Sequence, residues 1–84
     1  MKTFAIEAEI MPKTGVNDPQ GESVLSGLKL LGFEGASKVR VGKVIKFQLD
    51  AESEDAARTA ATEMCEKLLA NPVIEQFELS ISEG

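Results

Sequence analysis

Apolar and polar residues alternate along three stretches of this chain, at its start, in its middle and near its end. The stretches run from Met1 to Met11, from Val39 to Leu49 and from Val73 to Ile81. A period of two is typical of β-strands that bury one face. Because Gly42 interrupts the middle stretch, we predict that this stretch forms a hairpin of two short strands.

The segment after the first strand has the start and the apolar spacing of a helix. Asp18 can cap the first free amide groups, and Pro19 suits the first helical position. Apolar side chains at helical spacing form one arc, which consists of Val24, Leu25, Leu28 and Leu31. Leu30 points to nearly the opposite side, so it is either an isolated surface leucine or a contact for another chain.

A second helix is predicted from Ser53, which can cap it, to Ala70, where Asn71-Pro72 ends it. Its apolar stripe is small at the start and bulky at the end, and consists of Ala57, Ala61, Met64 and Leu68. Such a stripe lets the first half of the helix approach the sheet closely. Cys65, the only cysteine, flanks the stripe, and we expect it to be a small buried apolar side chain.

The order strand, helix, strand, strand, helix, strand predicts a single α+β domain over residues 1–84. It matches the βαββαβ pattern of the ferredoxin-like fold, in which two helices cover one face of a four-stranded antiparallel sheet. The helices would meet the sheet face that bears Phe4, Ile6, Ile45, Phe47, Phe77 and Leu79. A domain of this size buries little surface, so we also expect association into an oligomer, in which strands could be exchanged between chains.

The charge balance argues against nucleic acid and membrane surfaces as partners. The formal net charge is −5 and the pI is about 4.6, whereas binding to phosphate backbones or anionic lipids needs clustered lysine and arginine. No run approaches the roughly 18 apolar residues of a membrane span and no signal peptide is visible, so we expect a cytoplasmic protein. One basic stretch lies in the predicted hairpin and consists of Lys38, Arg40, Lys43 and Lys46.

The residue types that carry most catalytic and metal chemistry are missing. The chain has no histidine and one cysteine, so it offers neither a histidine general base nor a Cys/His metal site. It also lacks a glycine-rich phosphate loop and the acidic spacing of a calcium loop. We therefore predict no catalytic residue, no metal site and no activity of the chain alone.

Three segments, by their order and spacing, resemble one family. They are Asp18-Pro19-Gln20-Gly21, Val39-Arg40-Val41-Gly42-Lys43 and the end of the second helix from Met64 to Glu75. The chain resembles the PurS subunits of phosphoribosylformylglycinamidine synthase, which is also called formylglycinamide ribonucleotide amidotransferase. The positions that match the family pattern are Asp18, Pro19, Gln20, Gly21, Arg40, Gly42, Lys43, Asn71 and Pro72.

The resemblance implies a role in purine biosynthesis without catalysis by this chain. PurS-like chains form homodimers or homotetramers, and they hold a glutaminase subunit against a large synthetase subunit so that ammonia passes between them. The complex is then expected to use ATP, Mg and glutamine, while this chain binds no cofactor.

The candidate contacts to partner subunits or to other copies of the chain come from the resemblance and, for one residue, from the helix pattern. The resemblance supplies Asp18, Gln20, Gly21, Arg40, Gly42, Lys43 and Asn71, and the position of Leu30 opposite the apolar arc adds that residue. Among them, we expect Arg40 and Lys43 to be the polar contacts, because their charge contrasts with an acidic chain and would steer association.

The same order of elements occurs in other proteins, which leaves three alternatives open. The main one is a dimeric regulatory domain of ACT type, which binds a small ligand between subunits. An RNA-binding sheet of RRM type needs stacking aromatic residues, but the chain has no Tyr or Trp and only four Phe. An acylphosphatase-like enzyme would need an anion-binding loop that the sequence does not show.

Overall fold

The computed structural model describes all residues of the chain and has three strands and two helices. The elements, in chain order, are β1 (Lys2–Pro12), α1 (Pro19–Leu30), β2 (Lys43–Ala51), α2 (Glu54–Met64), a π-helical turn (Cys65–Leu69) and β3 (Glu75–Glu83). The predicted α+β class is therefore confirmed.

The strands form one antiparallel sheet in the order β2-β1-β3, so the first strand of the chain is the central one. In the register of this sheet, Phe4 pairs with Leu49 on one side and with Glu83 on the other. Side chains of β1 alternate between buried and exposed positions, as the sequence predicts. The sheet nevertheless has three strands and not the predicted four.

The predicted hairpin around Gly42 is wrong. Only its second arm forms a strand, β2, and this strand pairs with β1 and not with residues 39–41. Residues 31–42 form neither helix nor strand. The amide of Val41 donates to the Asp18 carboxylate at 2.8 Å, so it is not available to a strand ladder. The four-stranded ferredoxin-like sheet is therefore not formed within this chain.

Helix α2 covers the sheet through small side chains. Ala57 and Ala61 are fully buried on its inner side, and so is Cys65, the first residue of the turn that follows. The two alanines pack in one core cluster with Phe4 and Ile6 of β1. Because these helix side chains are short, the helix lies close to the sheet, as the small start of the predicted stripe indicates.

The π turn after α2 changes which side chains face the sheet. The Ala70 amide donates to the Cys65 carbonyl at 2.9 Å, an i→i+5 bond that places more residues in the turn than an α-helix does. The predicted stripe is wrong at its bulky end: Met64, which precedes the turn, is 37 % exposed, and Leu68 within the turn is 83 % exposed, whereas Leu69 is half-buried. Cys65 is buried as predicted, and this burial raises the pKa of its thiol.

Helix α1 makes few contacts with the rest of the chain. Gly21 is its only buried residue, and Leu30 and Leu31 are 88 % and 76 % exposed. The predicted apolar arc of α1 therefore does not cover the sheet, and the prediction of two helices on one sheet face is confirmed for α2 alone. As a result the molecule is elongated, with extents of 52 × 26 × 14 Å.

Candidate functional site

The three segments that resemble the family meet at one end of the sheet, where β1 ends. Ile10 pairs with Lys43 at the start of β2, and Pro12 pairs with Glu75 at the start of β3. Helix α1 begins a few residues after the end of β1. We call the hydrogen-bonded centre of this region the polar junction, and it consists of Pro12, Lys13, Asp18, Gly21, Arg40 and Val41.

Asp18 connects the first turn of α1 to the segment that precedes β2. Its Oδ1 accepts a hydrogen bond from the Gly21 amide at 3.1 Å, which is the cap predicted from the sequence. Its Oδ2 accepts from the Val41 amide at 2.8 Å. These two bonds lower the pKa of the Asp18 carboxyl more than burial raises it, and the charge of Arg40, whose Nε lies 4.0 Å away, lowers that pKa further.

The lowered pKa of Asp18 predicts an acid-dependent contribution to stability. Because the folded-state pKa lies below the ordinary value of 3.8, this contribution is complete above that value and is lost as the pH falls through the folded-state pKa. We expect the urea midpoint of Asp18→Asn to change less than that of the wild type between about pH 5 and about pH 2. Circular dichroism measures both midpoints, and parallel pH profiles would contradict the prediction.

Arg40 connects the same segment to the end of β1. Its Nη2 donates to the carbonyl oxygens of Pro12 and Lys13, at 2.9 and 2.8 Å. Hydrogen bonds from a charged donor are roughly twice as strong as neutral ones. The Arg40 side chain remains 33 % exposed, so part of this side chain is still open to another molecule.

Two glycines let backbone segments approach each other closely at this end of the sheet. A Cβ at Gly21 would lie 2.5 Å from the carbonyl oxygen of Val39, and one at Gly42 would overlap the carbonyl oxygen of Ile10. Both contacts are shorter than van der Waals packing permits. The match of these glycines to the family pattern therefore has a structural cause within this chain.

The loop before β3 borders the junction on its other side. The Asn71 Oδ1 accepts from the Val73 amide at 3.1 Å, and the Asn71 amide donates to Glu75 Oε1 at 2.7 Å. Lys13 reaches this loop and donates from Nζ to the Pro72 carbonyl at 2.6 Å. The sequence did not indicate Lys13, because a lone lysine in a loop has no pattern that points to a partner.

The candidate residues divide into two groups. Five of them take part in the structure at this end of the sheet, namely Asp18, Gly21, Arg40, Gly42 and Asn71. The other three, Gln20, Leu30 and Lys43, are exposed. Lys43 forms none of the ion pairs of the chain, so its charge is free to meet another molecule.

The arrangement joins segments of the chain and offers an ordered surface. No three His, Cys, Asp or Glu side chains lie close enough together to hold a metal ion, and Cys65 is buried. Neither helix has the length and apolar character that crossing a bilayer requires. What this end of the molecule can do chemically is donate and accept hydrogen bonds and present positive charge.

The chain matches known proteins along most of its length. The sequence profile of the PurS family, described as phosphoribosylformylglycinamidine (FGAM) synthase, matches residues 5–83. The chain is 48 % identical over 67 residues to the PurS subunit of Archaeoglobus fulgidus, an alignment that covers 80 % of this chain and 84 % of the relative. It is 46 % identical over 74 residues to the PurS subunit of Synechocystis, with 86 % and 74 % covered.

Solved PurS structures share the fold. PurS of Methanocaldococcus jannaschii superposes with a TM-score of 0.85 at 33 % identity, over 96 % of this chain and 98 % of that one. The structure of PurLQS from Thermotoga maritima contains a chain that superposes with a TM-score of 0.88 at 30 % identity, over 98 % of this chain and 100 % of that one. The chain therefore belongs to the PurS family and is a small subunit of phosphoribosylformylglycinamidine synthase in purine biosynthesis.

Proposed function

We propose that this chain holds the glutaminase subunit against the synthetase subunit, so that ammonia released by one is used by the other. The complex uses ATP, Mg and glutamine at the two larger subunits in this proposal, and it works in the cytoplasm. A PurS-like chain is part of the PurLQS structure of Thermotoga maritima. The similarity of the two chains over nearly their full length supports the same assembly here.

The amount of exposed surface carries this proposal. The accessible surface is 5888 Å², whereas a compact monomer of this mass exposes about 4,900 Å². The excess of about 1,000 Å² is similar to the roughly 800 Å² that each partner buries in a standard interface. The Cα radius of gyration of 16.3 Å also exceeds the roughly 12 Å of a compact chain of this length. A chain built to bind other chains accounts for both values.

Part of this surface fits a second copy of the chain. Helix α1 exposes Val24 on its apolar arc and Leu30 on nearly the opposite side, and Leu31, directly after the helix, is exposed as well. On the edge strands, the sheet-face side chains Ile45 and Phe77 are only half-buried, because α2 alone covers that face. In a two-fold symmetric dimer, both copies use the same surface. Helix α1 of each copy would then cover the half-buried sheet face of the other copy. We therefore propose a homodimer built on α1, which can associate further into a homotetramer.

For the larger subunits, we propose polar contacts through Lys43 and Arg40, with Gln20 as a third. Lys43 is exposed and forms no ion pair, and Arg40 keeps a third of its side chain open. Positive charge on an acidic chain would steer an acidic surface of a partner to this end of the sheet. Asp18, Gly21, Gly42 and Asn71 support this surface from within the chain.

Reconstitution with purified partners tests the proposed function. We expect the glutamine-dependent rate of amidine formation to fall roughly tenfold or more when this chain is left out, because released ammonia then diffuses away from the second active site. The measurement is product formation by the glutaminase and synthetase subunits with and without this chain.

Ammonium chloride in place of glutamine is the control for that experiment. Ammonia supplied from solution needs no transfer between subunits, so we expect the same rate with and without this chain. Equal glutamine-dependent rates in the two mixtures would contradict the proposed function.

A further inference from the structure

Helix α1 is attached to the rest of the chain mainly at its N-terminal end. Residues 13–18 before it and 31–42 after it form neither helix nor strand, and within the helix only Gly21 of the first turn is buried. The direction of this 12-residue helix relative to the sheet therefore depends on the bonds made at its first turn.

Asp18 and Arg40 make those bonds. One carboxylate oxygen of Asp18 accepts from Gly21 and the other from Val41. Arg40, next to Val41, donates to two carbonyl oxygens at the end of β1. The two side chains thereby join three parts of the chain: the end of β1, the first turn of α1 and the segment before β2.

An ordinary helix cap needs only the bond from Asp18 to Gly21. The bond to Val41 reaches a residue 23 positions away and satisfies no amide of the helix. Gly21 also brings the first turn so close to Val39 that a Cβ would lie 2.5 Å from its carbonyl oxygen. The contacts around Asp18 thus exceed what helix capping requires.

We infer that Asp18 and Arg40 form a lock that sets the angle between α1 and the sheet, and that this lock positions the apolar surface of α1 for association. Both are positioning residues for this association, since neither has to touch the second copy of the chain. The effect on association rests on the homo-oligomer proposed above, whereas the lock itself does not.

Asp18→Ser is the test variant, because a hydroxyl can still cap Gly21 but has no second oxygen to reach Val41. Ser53→Ala is the matched control: Ser53 caps α2 through the Ala56 amide at 3.2 Å and joins no distant segment. Residual dipolar couplings of backbone amides measure the orientation of α1 relative to the sheet, and sedimentation measures the dissociation constant.

In the wild type and in Ser53→Ala, we expect the couplings of α1 and those of the sheet to fit a single rigid arrangement of the two. In Asp18→Ser, the couplings of α1 should need a separate, averaged orientation, and exchange of the Val41 amide should rise roughly tenfold or more as that bond is lost. The dissociation constant of the homo-oligomer should rise by a similar factor in Asp18→Ser and stay unchanged in Ser53→Ala.

Arg40→Gln is the second test variant, because its shorter amide cannot reach both carbonyls at the end of β1. We expect the same averaging of the α1 couplings and the same rise of the dissociation constant. A single orientation of α1 and sheet in both variants would overturn the lock. A released helix with an unchanged dissociation constant would overturn its positioning role. A wild type that stays monomeric at every concentration would refute the proposed homo-oligomer, while the dipolar couplings would still decide on the lock.

Discussion

Replacing Phe4 with alanine is expected to lower the free energy of unfolding by about 3–5 kcal/mol. Phe4 lies on the central strand, is 2 % exposed and packs in the cluster that contains Ala57 and Ala61. These alanines cannot fill the space, because they have no side-chain torsion to adjust. A chain of this length has about 4–13 kcal/mol of stability in total, so the variant loses a large part of it.

Phe33→Ala is the matched control, since it removes the same side chain from a position that is 60 % exposed. We expect its free energy of unfolding to stay within about 0.5 kcal/mol of the wild type. Far-ultraviolet circular dichroism in urea is the suitable signal, because the chain has no tryptophan or tyrosine. The two variants are compared at equal protein concentration and oligomeric state. Similar losses of the free energy of unfolding would contradict the placement of Phe4 in the core and of Phe33 outside it.

Gly42→Ala is expected to lower the free energy of unfolding by about 1–3 kcal/mol or more. The added methyl group would overlap the Met11 sulfur and the carbonyl oxygen of Ile10. The Met11 side chain can move aside, but the backbone oxygen can move only if β1 and β2 separate where Ile10 pairs with Lys43. The strain therefore falls on the sheet itself.

Gly27→Ala is the control for the effect of the added methyl group. Gly27 lies within α1 and has nothing within 4 Å of the new Cβ, so alanine should stabilise the helix by about 0.5–1 kcal/mol. Urea unfolding of the two variants measures both effects. A neutral or stabilising result for Gly42→Ala would show that the close approach of the two strands is not rigid.

The strands of the sheet could be predicted where the alternation of apolar and polar residues is long. The pattern predicts strands over Met1–Met11 and Val73–Ile81, and the structure has them over Lys2–Pro12 and Glu75–Glu83. Residues 39–41 alternate in the same way, but three residues cannot distinguish a strand from an extended loop. Their conformation depends on a carboxylate oxygen 23 positions away from Val41, which no local pattern reveals.

Helix starts could be predicted, but the surroundings of the helices could not. Asp18 and Ser53 both cap a helix as expected, because capping is a contact between residues that are close in sequence. The spacing of apolar residues in α1 indicates a face that needs cover, yet it does not say whether this chain or another one supplies it. The π turn likewise follows from packing, since Cys65–Leu69 has no signal that separates it from the preceding helix.

The candidate site was predictable in its residue types and not in its contacts. Asp18, Arg40 and Gly42 were all indicated by their match to a family pattern. The acceptors of Arg40 are backbone carbonyls of Pro12 and Lys13, and every residue carries such a carbonyl. The sequence therefore contains no particular residue type that would mark the acceptors of Arg40.

The central position of β1 determines when the sheet can form during synthesis. Its partner β2 follows only after α1 and a long loop. Its partner β3 follows later still, after α2 and the π turn, and its Glu83 pairs with Phe4. When the first strand leaves the ribosome, it has no strand to pair with. It then exposes four side chains that are buried in the folded protein, Phe4, Ile6, Ala8 and Ile10. Pairing between segments far apart in the chain slows folding, because the intervening loop must close first. The sheet can therefore form only after β3 has been synthesised.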